Sequence, residues 1–264
     1  MSIGKTYFRT SNITSRKTVR QCSEIHRNNR DKNILWCKIY YRDVILRKSE
    51  EATAMNKERI YVIGAGNHAK VILSVLEACG MCCAGIYDDN LSLKGSTLWC
   101  VPILGPISEM PDTPETMAVI AIGSNSARRE IAAGFKNVCW PALVHPQSAV
   151  HSSVRIGEGT VVLPGSIILA DSIIGKHTII NTSSVINQDT VIGDFCHIGM
   201  KSAIADGVKI EDGSFIGMGA VIIPHITIEK NVTVGAGGVV IRNLDKDGCY
   251  VGNPVSRILL PVIK

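Results

Sequence analysis

The sequence predicts an α/β domain followed by a parallel β-helix, and three observations carry that expectation. The first is a period of six. From Val150 to Val240 every sixth residue is Ile or Val without a break, a spacing that fits neither the 3.6-residue turn of an α-helix nor the alternation of an ordinary strand. The second is a small or hydroxylated side chain four residues after most of these positions: Thr160, Ser166, Ser172, Thr178, Ser184, Thr190, Cys196, Ser202, Ser214 and Ala220. The third is a strand, glycine turn and helix pattern at 59–80, upstream of the repeat.

Taken in order, residues 1–54 hold twelve Lys or Arg against five Asp or Glu, a net +7, so the remainder of this +5 chain carries −2. This segment lacks hydrophobic period and turn logic. Three readings of it stay open: translation that begins at Met55, which is favoured; a targeting peptide, since Met1 to Gln21 is basic, hydroxylated and free of acids; or a basic arm for an acidic partner. The mild acidity of the rest gives no support to nucleic-acid binding. No secretory signal and no apolar run long enough to cross a membrane is present. Nine scattered cysteines point to a reducing compartment, hence the cytoplasm.

The second segment, 55–142, reads as a Rossmann-like domain. Arg59 to Ile63 forms a strand, Gly64-Ala-Gly66-Asn67-His68-Ala69 a glycine turn, and Val71, Ile72, Val75 and Leu76 the apolar face of a helix closed by Gly80. Such a turn lets the backbone approach a ligand, and the helix N-terminus offers unpaired N–H groups to a phosphate. A second strand at Ala84 to Tyr87 ends in Asp88-Asp89, where a nucleotide fold places an acid on a ribose. A further strand, Met117 to Ile122, leads into Gly123-Ser124-Asn125 and a helix bearing Arg128 and Arg129. About ninety residues suit a mononucleotide or nucleotide-sugar better than a dinucleotide.

The third segment, 143–264, holds the repeat and a C-terminal tail. Three hexads make a coil of roughly eighteen residues and coils stack about 4.8 Å apart, so the run gives about five coils of a triangular prism. Branched Ile and Val suit the inward position. Gly or Asn directly after the core residue, as at Gly157, Gly175, Asn181, Asn187, Gly193, Gly199, Gly217 and Gly235, is expected to supply the unusual backbone angles of the corners. Cys79, Cys82 and Cys83 lack the second ligand pair that zinc needs. His177 and His225 read as solvated corner residues, and His145 and His151 as caps of the prism end. No close histidine pair supports a zinc hydratase of this fold.

Together, Gly64-Ala-Gly-Asn-His68, Tyr87-Asp-Asp89, Ile120-Ala-Ile-Gly-Ser-Asn125, Leu143-Val-His-Pro146, Ile180-Asn-Thr-Ser-Ser184, Val191-Ile-Gly-Asp-Phe-Cys-His197 and Val251-Gly-Asn-Pro254 resemble the sialic acid O-acetyltransferase and bacillosamine-pathway N-acetyltransferase family of hexapeptide sugar acyltransferases. The resemblance spans Arg59 to about Leu259. It implies a left-handed β-helix, a homotrimer, acetyl-CoA as co-substrate lying between neighbouring prisms, and a nucleotide-sugar bound by Gly66, Asn67, His68, Asp88, Asp89 and Gly123. By the same resemblance His197 contacts the thioester, and the turns at Met218 and Ala236 line the pantetheine path. The reaction implied is attack of a sugar amine on the thioester, with O-acetylation of a sugar such as a sialic acid as the alternative. One departure stands out: where the family pattern has a histidine base, this chain reads Asn187-Gln188-Asp189, and an amide has no useful basicity. The resemblance then leaves Asp189 or His197 to take the proton, an acceptor amine already neutral, or a chain that binds nucleotide-sugar without catalysis.

Overall fold

The computed structural model describes residues 59–258. The expectations for residues 1–54 lie outside the described residues, as does the end of the C-terminal tail. Within them a Rossmann-like domain precedes a left-handed parallel β-helix.

In the first domain the strands β1 (Arg59–Ile63), β2 (Cys82–Tyr87), β3 (Thr97–Leu98), β4 (Val101–Gly105) and β5 (Met117–Ile120) lie in the order β3-β4-β2-β1-β5. All are parallel except β3, which runs antiparallel to β4 at the edge. Helix α1 (Asn67–Ala78) follows β1, and α2 (Asn125–Gly134) follows β5. The apolar spacing read in the sequence buries Ile72, Val75 and Leu76 of α1 against the sheet. Because β2 and β4 lie to one side of β1 and β5 to the other, the strand order reverses between β1 and β5. Such a switch point opens a crevice at the carboxyl ends of the strands.

The hexads form three sheets. On the first face, pairs of residues from Leu143–Val144 through Phe215–Ile216 stack in parallel and continue through Val232–Val234 to Gly248–Gly252 and the antiparallel Val255–Ile258. The second face runs from Ala149–Val150 to Val239–Val240, the third from Arg155–Ile156 to Thr227–Ile228. Register advances one coil at a time: Val150 pairs with Ile168, Ile168 with Ile186, Ile186 with Ile204, Ile204 with Ile222, and Ile222 with Val240. The expected five coils are these five steps. Every repeat isoleucine from Ile168 to Ile228 is 2% exposed or less, and each such side chain contributes about 1.5–3 kcal/mol on leaving water. The small residues four positions on are buried as well, and most of their hydroxyls are satisfied by carbonyls of the next coil: Thr160 donates to Gly175 O (2.6 Å), Thr178 to Gly193 O (2.9 Å) and Ser214 to Glu229 O (2.8 Å), whereas Ser184 and Ser202 donate within their own coil to Asn181 O and Gly199 O.

Two expectations are corrected. The left-handed backbone of the corners falls three residues after the core position, not one. Asp171, His177, Ser183, Asp189, Phe195, Lys201, His225 and Asn231 all have φ between +49° and +61°. The glycines directly after the core residues serve close approach between coils instead: a Cβ on Gly175 would strike the Gly193 backbone. His177 is also not solvated. It is 4% exposed, edge-on to Trp140 at 5.2 Å and stacked on Phe195 at 5.1 Å, because Trp140 and the Arg129 guanidinium, itself over the Phe195 ring, close this corner. Burial pushes the His177 imidazole down to about 4.

Candidate active site

Two glycine turns meet at the switch point. In the first, Gly64 N–H donates to Tyr87 O (2.8 Å) and Ala65 N–H to Asp88 Oδ2 (2.6 Å). Asp88 Oδ1 accepts from Asn90 N–H, and Asp89 Oδ1 from Ile107 N–H. The two carboxylates thus fix the loops around the crevice through one or two lone pairs each and keep others open to a ligand. Gly66 and Asn67 are exposed at the start of α1, and Gly66 caps that helix without a side-chain bond. His68, one residue into the first turn, has a buried Nε2 with no partner. Burial, then the nearby Arg128 cation, brings it down to about 4, so it is neutral.

The second turn, Gly123 to Asn125, is organised by a residue whose role the sequence did not disclose. Arg128 on α2 is 1% exposed. Its Nε donates to His177 O (3.0 Å), Nη1 to Ile122 O (3.2 Å) and Gly123 O (2.9 Å), and Nη2 to Asn125 Oδ1 (2.9 Å), Phe195 O (3.2 Å) and Cys196 O (2.9 Å). No carboxylate is among these acceptors, and burial lowers the guanidinium to about 10. Carbonyl dipoles alone stabilise the cation, and in doing so it bolts the Gly123 turn to two corners of the prism. Asn125 adds a bond from Nδ2 to Gly213 O (2.9 Å).

His197 completes the cluster. Thr182 N–H donates to Asn181 Oδ1 (2.8 Å), which turns the Asn181 amide NH2 toward His197 Nε2 at 3.1 Å. Nε2 therefore accepts, and the ring proton sits on Nδ1, facing Gly123 O at 3.4 Å. Phe215 packs edge-on at 5.0 Å. Burial, then the Arg128 cation, hold His197 neutral with its value at about 4, against an upward pull from the Gly123 carbonyl that outweighs the slight lowering by His68. With its lone pair occupied it is poorly placed to take a proton. A neutral ring can still donate from Nδ1 to an oxygen that competes with Gly123 O. Beside it opens a cavity of about 400 Å³ lined by Gly123, Ser124, Asn125, Arg129, Phe215 and Thr233, among others.

The structure thus brings Gly123, His68 and His197 together. Gly66, Asn67, Asp88 and Asp89 border the same crevice from the first domain, whereas the other expected residues of the β-helix lie on other edges of the prism. Gln188 is exposed at the corner between the second and third faces, its N–H held by Asn187 Oδ1 (3.1 Å) and its carbonyl by Gly207 N–H (3.1 Å). Asp189 follows at φ +56°. Met218, 54% exposed, and Ala236 occupy the corner between the first and second faces. Asn181 and Arg128 are the participants that sequence reasoning missed as such. Asn181 stood in a quoted motif, whereas nothing in the sequence distinguished Arg128 from its exposed neighbours. Among the described residues no group of three His, Cys, Asp or Glu side chains could hold a metal ion.

Two family models match the chain: the PglD N-terminal domain over residues 59–135 and the GMPPB C-terminal domain over residues 136–239. A UDP-N-acetylbacillosamine N-acetyltransferase of Bacillus subtilis is 34% identical over 111 residues, which are 40% of this chain and 51% of that protein, so the chain spans about half the length of this curated relative. PerB of Caulobacter crescentus, solved with CoA and GDP-perosamine, is 36% identical with a TM-score of 0.70, covering 78% of this chain and 98% of its own. The same organism's perosamine N-acetyltransferase has also been solved with one histidine replaced by asparagine, at 35% identity and a TM-score of 0.71, with the same coverage. The acetyltransferase domain of PglB from Neisseria gonorrhoeae, solved with acetyl coenzyme A, is 29% identical with a TM-score of 0.69, covering 77% of this chain and all of that domain. Sequence, fold and coverage agree: this chain belongs to the bacillosamine-pathway family of hexapeptide-repeat sugar acetyltransferases.

Proposed function

We propose that the chain transfers the acetyl group of acetyl-CoA to the amino group of a nucleotide-linked amino sugar, in the synthesis of a surface glycan. The observation that carries this reading is the switch-point crevice. Two glycine turns and the Asp88-Asp89 pair border it on one side and the neutral, oriented His197 on the other. The nucleotide-sugar lies against Gly66, Asn67, His68, Asp88, Asp89 and Gly123. Acetyl-CoA takes the path past His197, Met218 and Ala236. Solved relatives that hold CoA with GDP-perosamine support the substrate class.

The amine's lone pair attacks the thioester carbon, the C–S bond breaks, and a donor N–H stabilises the oxyanion. O-acetylation is disfavoured by the same site, because a hydroxyl needs a base more than a neutral amine does. The second reading, a nucleotide-sugar-binding chain without catalysis, is favoured by one observation: Gln188 is an exposed amide at the turn where the family resemblance implies a base. Replacing it tests this account directly. Gln188→His is expected to raise acetyl transfer; a variant no faster than the parent on every acceptor the parent binds contradicts the missing-base account.

Assembly completes the site. The outward column of the second face is Ala149, Ile167, Val185, Ala203, Val221 and Val239, with Ile167, Val185 and Val221 37–42% exposed. Beside it stand Leu169, Ile223 and Ile241 at 37–49%. An uncharged aliphatic strip of this length suits burial against another copy, and a trimer sets the Gln188 corner of one prism near the Met218 corner of the next. All seven cysteines among the described residues are unpaired, in keeping with work in the cytoplasm.

A further inference from the structure

The acetyl transfer proposed above releases a proton, and the prism offers few groups to receive it. Of the six histidines among the described residues, His177 is buried and His68 and His197 are half-buried, and all three are held neutral well below their ordinary range. His145 and His151 stand at the first coil, each with Nδ1 accepting a backbone N–H, from Gln147 and Ser153 respectively. His225 differs. Its side chain is 78% exposed, and Nε2 faces Asp206 Oδ2 at 3.7 Å.

The position of this pair is the second half of the case. His225 N–H donates to Asp206 O (3.0 Å), and Gly207 N–H donates to Gln188 O (3.1 Å). The pair therefore shares the corner column of the Asn187 to Asp189 turn, with Asp206 on the coil directly above Gln188, about 4.8 Å away. The His225 ring lies down over Gly207, where any Cβ would collide with Nδ1. Only glycine admits the ring here, and it brings Nδ1 toward the Gln188 coil while Nε2 is turned to the carboxylate. An exposed imidazole with one nitrogen at ion-pair distance from a carboxylate, 3.7 Å, and the other turned toward the Gln188 coil is placed to take up a proton at this corner.

We propose that His225, seated over Gly207 and paired with the Asp206 carboxylate, is the proton acceptor for acetyl transfer at this corner, in place of a side chain at Gln188. This rests on the acetyltransferase reading. As the amine nitrogen bonds to the thioester carbon, its proton passes to His225 Nδ1. The breaking C–S bond leaves its electron pair on sulfur, and the proton then goes to the thiolate. The balance is amine plus acetyl-CoA giving acetamide plus CoA thiol.

The test uses the full chain with acetyl-CoA and amino-sugar nucleotides, following CoA release. His225→Asn is chosen because asparagine tolerates the left-handed backbone at this position (φ +60°). It is expected to lower kcat on the order of 10²-fold or more, the share a general base supplies. His225→Gly is expected to fall likewise and to recover in part with added imidazole, while His151→Asn stays at the parent rate. The assignment is overturned if His225→Asn keeps kcat within about threefold of the parent, or if imidazole fails to restore any turnover to His225→Gly. A parent chain that releases no CoA with any acceptor overturns the acetyltransferase reading itself, and the His225 role with it.

Discussion

Arg128 shows how one side chain can set a site without touching substrate. Its six acceptors belong to the Gly123 turn, α2 and two prism corners, so a substitution both leaves buried carbonyls unpaired and frees the turn that positions His197. Arg128→Met is expected to cost at least about 3 kcal/mol in urea unfolding; Arg128→Lys should recover only part, because an ammonium lacks the planar fork. An unchanged unfolding midpoint for Arg128→Met would contradict this. The buried imidazoles make a second prediction. His68, His177 and His197 each bind their proton at about 4 in the fold against about 6.5 in the unfolded chain. Between those values the unfolded state takes up protons that the folded state refuses. Stability is therefore full above about pH 6.5 and falls as pH drops toward 4, by up to about 1.4 kcal/mol per pH unit for each histidine. Thermal melts from pH 7 to pH 4.5 check the direction; a flat profile would place these rings in water.

At the level of elements, the hexad is where sequence and structure agree most fully. A branched residue every six positions determines its own surroundings, since each neighbour above and below is another Ile or Val, and no distant segment can override it. Ile198→Ala should cost about 2–5 kcal/mol, the range for a core truncation, measured as the loss in unfolding free energy. The corners were less legible. Glycine after the core residue suggested special backbone angles, yet the left-handed residues are two positions further on and include His177, Asp189 and Phe195, whose side chains gave no such signal. The same limit applies to the α/β part: strand, turn and helix were legible around Gly64 and Gly123, whereas the hairpin of β3 and β4 was not, because two-residue pairings carry too little pattern. His177 was misread because its partners, Trp140 and Phe195, lie 37 residues before it and a full coil after it. Long-range covering of this kind leaves no local trace.

For the whole molecule, the residues proposed for acetyl transfer are spread around the prism of one chain. His197 lies on the first face, Gln188 and His225 on the corner of the second and third, and Met218 on the corner of the first and second. In the trimer proposed above, packing through the aliphatic second face would bring these edges together. Val221→Glu is expected to shift the sedimentation of the chain from a trimer to smaller species and to abolish transfer with it; an unshifted trimer would put the interface elsewhere. The central claim, acetyl transfer to a sugar amine, is tested most directly by mass spectrometry of a panel of amino-sugar nucleotides incubated with the full chain and acetyl-CoA. The expected result is one acceptor that gains a single acetyl group on nitrogen, with stoichiometric CoA release. Nucleotide-sugar binding in calorimetry with no acetylated product from any acceptor would contradict it.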